Sequence, residues 1–420
     1  MHSSKPQLAV VANPSEHGSG GELRALRSVK EYAKHFHVYL FTPLRAVGST
    51  SLRSLARLKS LGVALSGCIT YPRIGKLEPE FKLFFPQLTR LTTTKLPFFD
   101  GIVVLHENID YLYAGYLLGK ASGAPAMVLL QNPPLFGSKK RLSEILKAVY
   151  LWEKLTSAST LEEAYATVRL ARLQVRRPIE EARIRMLLNK YSLVVGVSRA
   201  TVLEMGEPWF SKAFYLDPGV NLNEEEVHLL SRIRKSVKEK ENCILYKGGL
   251  TPVKGILDVL LAYRLIRKER GDLKLVITGK LDSKTHRKLL VALKKLNLKD
   301  YVVLTGFISR EQLFELNAKA RLLLHPSHMD SFPYTVLESL HAGTPVVGYD
   351  IPALKIYYGG LPGVRLVREG DVEALATEAI DMLERSPKEV NPPSLKSWNE
   401  IIEEELSLVK KKLLGEHRHS

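Results

Sequence analysis

A chain of 420 residues is too long for one ordinary core, so two domains of roughly 150–200 residues each are expected. With 45% hydrophobic and 25% charged residues and a mean hydropathy of −0.06, the composition is globular, and no repeat at solenoid or propeller spacing is present. Two cysteines, Cys68 and Cys243, exclude a disulfide framework or a cysteine-rich zinc site, and a formal charge of +17 points to nucleic acid, anionic lipid or phosphorylated small molecules.

No zinc finger, RNP-type aromatic strand or recognition helix accompanies the charge, so nucleic acid is not an expected partner. A composition rich in Lys, Arg and Glu and poor in Gln and Cys, as in heat-adapted proteins, accounts for abundant charge but not for its positive sign. The start, Met1 to Lys5, runs straight into an apolar stretch without the length or apolar region of a secretion signal. The longest uncharged run, 121–138, holds Pro125, Pro133 and Pro134 and is too polar to span a bilayer. These features predict a cytoplasmic chain, with a peripheral place on the inner face of the membrane open to it.

In chain order, short apolar runs at 8–12, 38–42, 63–69, 101–106, 126–131, 193–198 and 213–216 read as strands. Helical patterns separate them, the first at 22–35. The first strand is followed by a loop ending in Gly20 and Gly21, which suits close approach of a ligand to the backbone, although the spacing is not that of a dinucleotide fingerprint. A second series follows at 243–246, 273–278, 301–305, 321–325 and 345–348, with helices at 255–270, 283–296 and 310–319. Alternation of this kind predicts βαβ units and parallel sheets. The turn-rich stretch 217–223 separates the two series. The expected organisation is therefore an N-terminal Rossmann-like acceptor domain at 1–217, a C-terminal Rossmann-like donor domain at 218–393, and a C-terminal helix at 394–420 that returns to the first domain. Two such domains would face a shared cleft. Fold alone does not select a function.

Chemistry concentrates at 326–347. A strand ends at His325, a Ser/Asp-rich loop follows, and a helix is expected to start near Pro333. Asp330 lies at the helix mouth and Glu338 about two turns in. Such a helix N-terminus, with Tyr334, Thr335 and Val336, offers N–H groups to phosphate, while the two acids suit sugar and ribose hydroxyls.

This segment resembles the family 4 glycosyltransferases of the GT-B fold. Asp330-x7-Glu338 followed by Gly343-Thr344-Pro345-Val346-Val347 is similar to the family's Glu-x7-Glu and Pro-Val-Val marks. The resemblance implies that Asp330 contacts the transferred sugar and Glu338 the ribose diol. Lys247-Gly248-Gly249-Leu250-Thr251-Pro252-Val253-Lys254-Gly255 resembles the loop whose Arg and Lys grip the donor diphosphate. Lys254 matches, the Arg position is Gly249, and Lys247 is a candidate substitute. Gly279 after the next strand and Phe307 and Ile308 near the nucleobase complete the implied donor site. In the first domain the resemblance implies His106 and Gln131 at strand ends beside the sugar. Gln131 stands where the family has a histidine, so it hydrogen-bonds without titrating. A structural role for His106 remains equally open.

No Asp-x-Asp occurs in the chain, which argues against the metal-dependent transferases of the other common fold. No cofactor and no metal are expected. The reading is a retaining hexosyltransferase using a UDP- or GDP-sugar donor and a saccharide or lipid-linked acceptor. Retention is implied by the resemblance alone. The rivals are a nucleotide-sugar epimerase and a non-catalytic binding subunit, the latter favoured by Gly249 and Gln131. The helical segment 138–190 is also basic: from Lys139 to Arg199 there are 13 Lys/Arg against 6 Glu, a net of +7. It reads either as a surface for anionic membrane or as an ordinary solvated face over a core stripe.

Overall fold

The structure, a computed structural model, describes residues 5–15, 20–43, 59–60, 62–69, 98–218, 222–387 and 389–415. Positions 16–19 of the first loop and 219–221 of the inter-series turn lie outside the described residues. The chain divides into two compact units. One comprises Met1–Leu135, Pro178–Pro218 and Ser397–Ser420, the other Phe136–Arg177 and Gly219–Lys396.

The first unit is built on a parallel sheet of β1 (Gln7–Val11), β2 (His37–Pro43), β3 (Ala64–Ile69), β4 (Gly101–Val104), β5 (Ala126–Leu130), β6 (Leu193–Gly196) and β7 (Phe214–Tyr215). Its order is β3-β2-β1-β4-β5-β6-β7, which reverses direction between β1 and β4. In doubly wound sheets that reversal opens a crevice at the strands' carboxyl ends. Successive residues of β1 enter opposite cores. Leu8 and Val10 pack with Ala25, Leu26 and Val29 of helix Gly20–His35, whereas Ala9 and Val11 pack with Leu112 and Leu118 of helix Ile109–Ser122. Burial on both faces explains why the strands read as continuous apolar runs, each large aliphatic contributing roughly 1.5–3 kcal/mol.

The C-terminal helix, Trp398–Ser407, packs on this unit, and Glu405 accepts bonds there from Arg24 and Tyr32. It is shorter than the expected tail helix. Ser397 caps its start in a capping box with Glu400, and a π-helical turn at Leu408–Leu413 follows.

The second unit repeats the plan with β8 (Glu241–Lys247), β9 (Lys274–Thr278), β10 (Val302–Gly306), β11 (Ala320–His325), β12 (Val346–Tyr349) and β13 (Val364–Val367), all parallel, in the order β10-β9-β8-β11-β12-β13. Strand β13 is an addition to the expected series. The segment Phe136–Arg177 also belongs here, a difference from the expected division, which kept everything up to 217 in the first domain. Helix Lys139–Thr156 sinks Trp152 into the core that contains Leu257, Leu289 and Leu293. Lys288 donates to Glu153 at 2.5 Å and Lys295 to the Ser157 carbonyl at 2.8 Å.

Candidate functional site

In the second unit the sheet order reverses between β8 and β11, and the loops that follow these strands carry the sequence-predicted donor residues. After β8 the chain turns through Gly248 and Gly249 into a 3-10 turn, Pro252–Lys254. The Tyr246 hydroxyl donates to the carbonyls of Gly249 at 2.8 Å and Lys254 at 3.0 Å, closing the loop on itself. Gly255 then starts helix Ile256–Glu269 with φ +83°, and a Cβ there would lie 2.1 Å from the Pro326 carbonyl oxygen. Only glycine fits that backbone conformation and lets the two loops meet. Gly279, after β9, sits against the Gly248 carbonyl in the same way.

The predicted acids meet the predicted lysines. Lys254 donates to Asp330 Oδ1 at 2.5 Å and to the Met329 carbonyl at 2.7 Å. His325 Nε2 donates to Asp330 Oδ2 at 3.2 Å, and its Nδ1 faces the Thr335 hydroxyl at 3.3 Å. Burial opposes the charge on Asp330, but the Lys254 ammonium and the His325 bond outweigh it and hold the carboxyl well below the usual range. Glu338 is buried in helix Tyr334–His341, and its two oxygens are taken by Lys247 and Arg310, each at 2.7 Å. Burial again opposes ionisation, and the two cations keep Glu338 below its ordinary value.

Lys247 therefore does not stand open beside Gly249 as a substitute phosphate cation. Its side chain is 3% exposed and serves Glu338 from beneath. The second cation on Glu338 is Arg310, which also binds Glu226 at 2.7 Å and lies over the Phe314 ring. Sequence reasoning missed Arg310 because nothing in the pattern around Ser309, the helix N-cap, marks it. Pro333 precedes Tyr334 with no side-chain cap on that helix start. Thr335 is half-buried, Val336 is buried, Phe307 is exposed and Ile308 is half-buried.

A second missed residue, His328, anchors the Asp330 loop. Its Nδ1 meets Glu369 at 2.9 Å and its Nε2 meets Asp258 at 3.2 Å. Its backbone N–H donates to the Val253 carbonyl, and its carbonyl accepts from Arg141 at 2.7 Å. Burial opposes protonation, yet the two carboxylates raise the imidazole to about 9.

In the first unit the reversal between β1 and β4 gathers the other predicted residues. His106 is buried, and its Nε2 accepts the Asn13 N–H at 3.3 Å. Burial lowers its pKa to about 4, so it is a neutral acceptor tied to the loop after β1. The Gln131 amide donates to the Leu105 carbonyl at 3.3 Å, and its Cβ and Cγ would lie 3.4 Å from a Cβ on Gly21. Gly20 opens the adjoining helix. Glu107, which sequence reasoning did not select, accepts from the Gln131 N–H and the Asn132 amide, each at 3.2 Å, while burial raises its carboxyl.

Residues 231–396 match the family model described as glycosyl transferases group 1. The chain is also similar over its length to solved structures. It aligns with sucrose-phosphate synthase from Thermosynechococcus elongatus at TM-score 0.64 and 15% identity, covering 98% of this chain and 100% of that one. With Anabaena HepE in complex with UDP-glucose the TM-score is 0.55 at 16% identity, covering 90% of each. Residues 231–396 are thus a glycosyl transferases group 1 domain, in a chain of the GT-B fold. The chain is 27% identical to the N-acetyl-alpha-D-glucosaminyl L-malate synthase of Bacillus anthracis over 330 residues, 74% of this chain and 77% of that one. It is 35% identical to an uncharacterized glycosyltransferase of Methanocaldococcus jannaschii over 129 residues, 30% of this chain and about a third, 32%, of that one.

Proposed function

We propose that the protein is a retaining, metal-independent hexosyltransferase of family 4 that uses a UDP- or GDP-sugar and a saccharide or lipid-linked acceptor. The observation that carries this reading is the pairing of Asp330 with Lys254 and of Glu338 with Lys247 and Arg310, which gathers the chain at and after the adjacent strands β8 and β11 with the start of the helix after β10. Both acids remain ionised, so they act as acceptors for hydroxyls. Lys254 and the N-terminus of helix Tyr334–His341 supply positive potential for a leaving diphosphate. The chain lacks an Asp-x-Asp motif. In the first unit, Gln131 and Glu107 supply hydrogen-bonding groups for a sugar hydroxyl. The Anabaena HepE complex with UDP-glucose and the Bacillus sugar–malate synthase support a sugar-nucleotide donor by likeness. A lipid-linked acceptor goes with a peripheral position. No helix among the described residues is long and apolar enough to cross a membrane.

The test is a thermal-shift panel of UDP, GDP and their hexose conjugates, followed by product detection with and without EDTA. Stabilisation by one nucleoside diphosphate and EDTA-resistant release of it from its sugar conjugate are expected. Activity abolished by EDTA and restored by manganese would overturn the metal-independent reading. A second reading, a non-catalytic sugar-nucleotide-binding subunit, is favoured by Gly249 and Gln131. Nucleotide binding without any hydrolysis or transfer would select it.

A further inference from the structure

Helix Thr160–Leu188 carries large apolar side chains in solvent. Within its second-unit part, Leu161 is 82% exposed, Tyr165 71%, Val168 67% and Val175 77%. Their spacing is 4, 3 and 7, and Arg172 stands at the intermediate position. At 100° per residue these five side chains occupy an arc of roughly 80°, one face of the helix. Arg176 borders the arc on one side and the exposed Ala164 and Ala171 on the other. No aspartate or glutamate falls within it. The packed side of the helix is elsewhere, at the buried Ala166. A core stripe is therefore not the reason for these residues.

We propose that this face docks on an anionic lipid surface, with Leu161, Tyr165, Val168 and Val175 entering the headgroup boundary and Arg172 and Arg176 on lipid phosphates. Charge decides between occupants. A second copy paired along the same stripe would bring Arg172 against the stripe's own arginines, with no acid in the arc to compensate them. An uncharged apolar groove would leave Arg172 unpaired at the centre of the contact. A bilayer carrying phosphates accepts both features, because an arginine stem lies along apolar surface while its head reaches the phosphate layer. The helix lies in the plane of the surface, since no described helix meets the length and hydropathy of a membrane span. The face is independent of the transfer reaction and uses none of its residues.

The experiment is co-sedimentation of the full chain with vesicles of phosphatidylcholine alone and of phosphatidylcholine with phosphatidylglycerol, at low and high salt. Binding to the anionic vesicles, weakened by salt, and little to the neutral ones is expected. Each arginine near such a surface is worth about a fivefold change in affinity, so R172Q/R176Q should bind about 25-fold more weakly. V168Q/V175Q should also lose binding. Both double variants replace exposed side chains, and each should keep the wild-type melting temperature and nucleotide-induced shift. Three results overturn the proposal. They are no vesicle binding by the wild type, anionic binding that both double variants retain, and a wild-type dimer in sedimentation equilibrium that V168Q/V175Q dissociates.

Discussion

Replacing His328 by glutamine removes a buried cation that holds the Asp330 loop in place. Both ring nitrogens face carboxylates, Glu369 at 2.9 Å and Asp258 at 3.2 Å, an arrangement that only the doubly protonated ring satisfies as donor. Asp258 also accepts from Tyr349 at 2.7 Å, and Glu369 pairs with Arg141, so the histidine sits inside a closed polar network. Its pKa of about 9, against an ordinary value of 6.5, corresponds to about 3 kcal/mol of folding free energy. The folded value is the higher one. The stabilisation is therefore fully present below pH 6.5 and is lost as the pH rises through about 9. Urea unfolding of wild type and H328Q at pH 6 and pH 9.5 should show a stability gap that shrinks by about 3 kcal/mol between the two. Comparing the two proteins at each pH cancels titration of other groups. A gap that stays constant, or widens with pH, refutes the reasoning, because it would mean that His328 is neutral in the folded protein and acts only by filling space.

Lys254→Ala removes the ammonium from Asp330 and from the proposed diphosphate site, and one charge-assisted bond of roughly 1.5–3 kcal/mol predicts a ten- to hundredfold loss in UDP or GDP affinity. Calorimetric titration checks it, and wild-type affinity in the variant would place the nucleotide elsewhere. Gln131→Ala should lower turnover while leaving the shape of the pH profile unchanged, because glutamine does not titrate and His106 stays neutral down to about 4. A kcat profile from pH 5 to 9 tests this, and a variant with intact turnover and sugar affinity would remove Gln131 from the site.

The strands were legible because sheets buried on both faces are written as continuous apolar runs, and nearly all observed strands fall within one or two residues of those runs. Strand β13 escaped because Val364-Arg365-Leu366-Val367 is short and interrupted by an exposed arginine. The assignment of residues 136–177 was not legible for a different reason. Chain order placed them between β5 and β6, but their partners are 100 or more residues ahead, as with Trp152 and Leu257. The same distance in sequence separates the legible part of the site from the rest. Asp330, Glu338, Lys254 and the glycines stand in a compact motif. His328 acquires its meaning from Asp258 and Glu369, 70 and 41 residues away, and Arg310 from Glu338, 28 away. No local pattern records those meetings.

The three cations around the two acids divide by mobility. Lys247 is enclosed, so parting it from Glu338 would leave a buried ammonium without its carboxylate, a loss of about 3–5 kcal/mol when a buried pair is broken. Lys254 and Arg310 have side chains 31% and 39% exposed, so each can turn toward a ligand while its acid keeps another partner, His325 for Asp330 and Lys247 for Glu338. In this chain, then, the glycine at 249 does not leave the loops short of an adjustable positive charge. Beside Lys254 in the loop after β8, a second such charge stands at Arg310, at the start of the helix after β10. A donor diphosphate bound as proposed would draw on Lys254 and Arg310, while Lys247 would fix the carboxylate that faces the ribose.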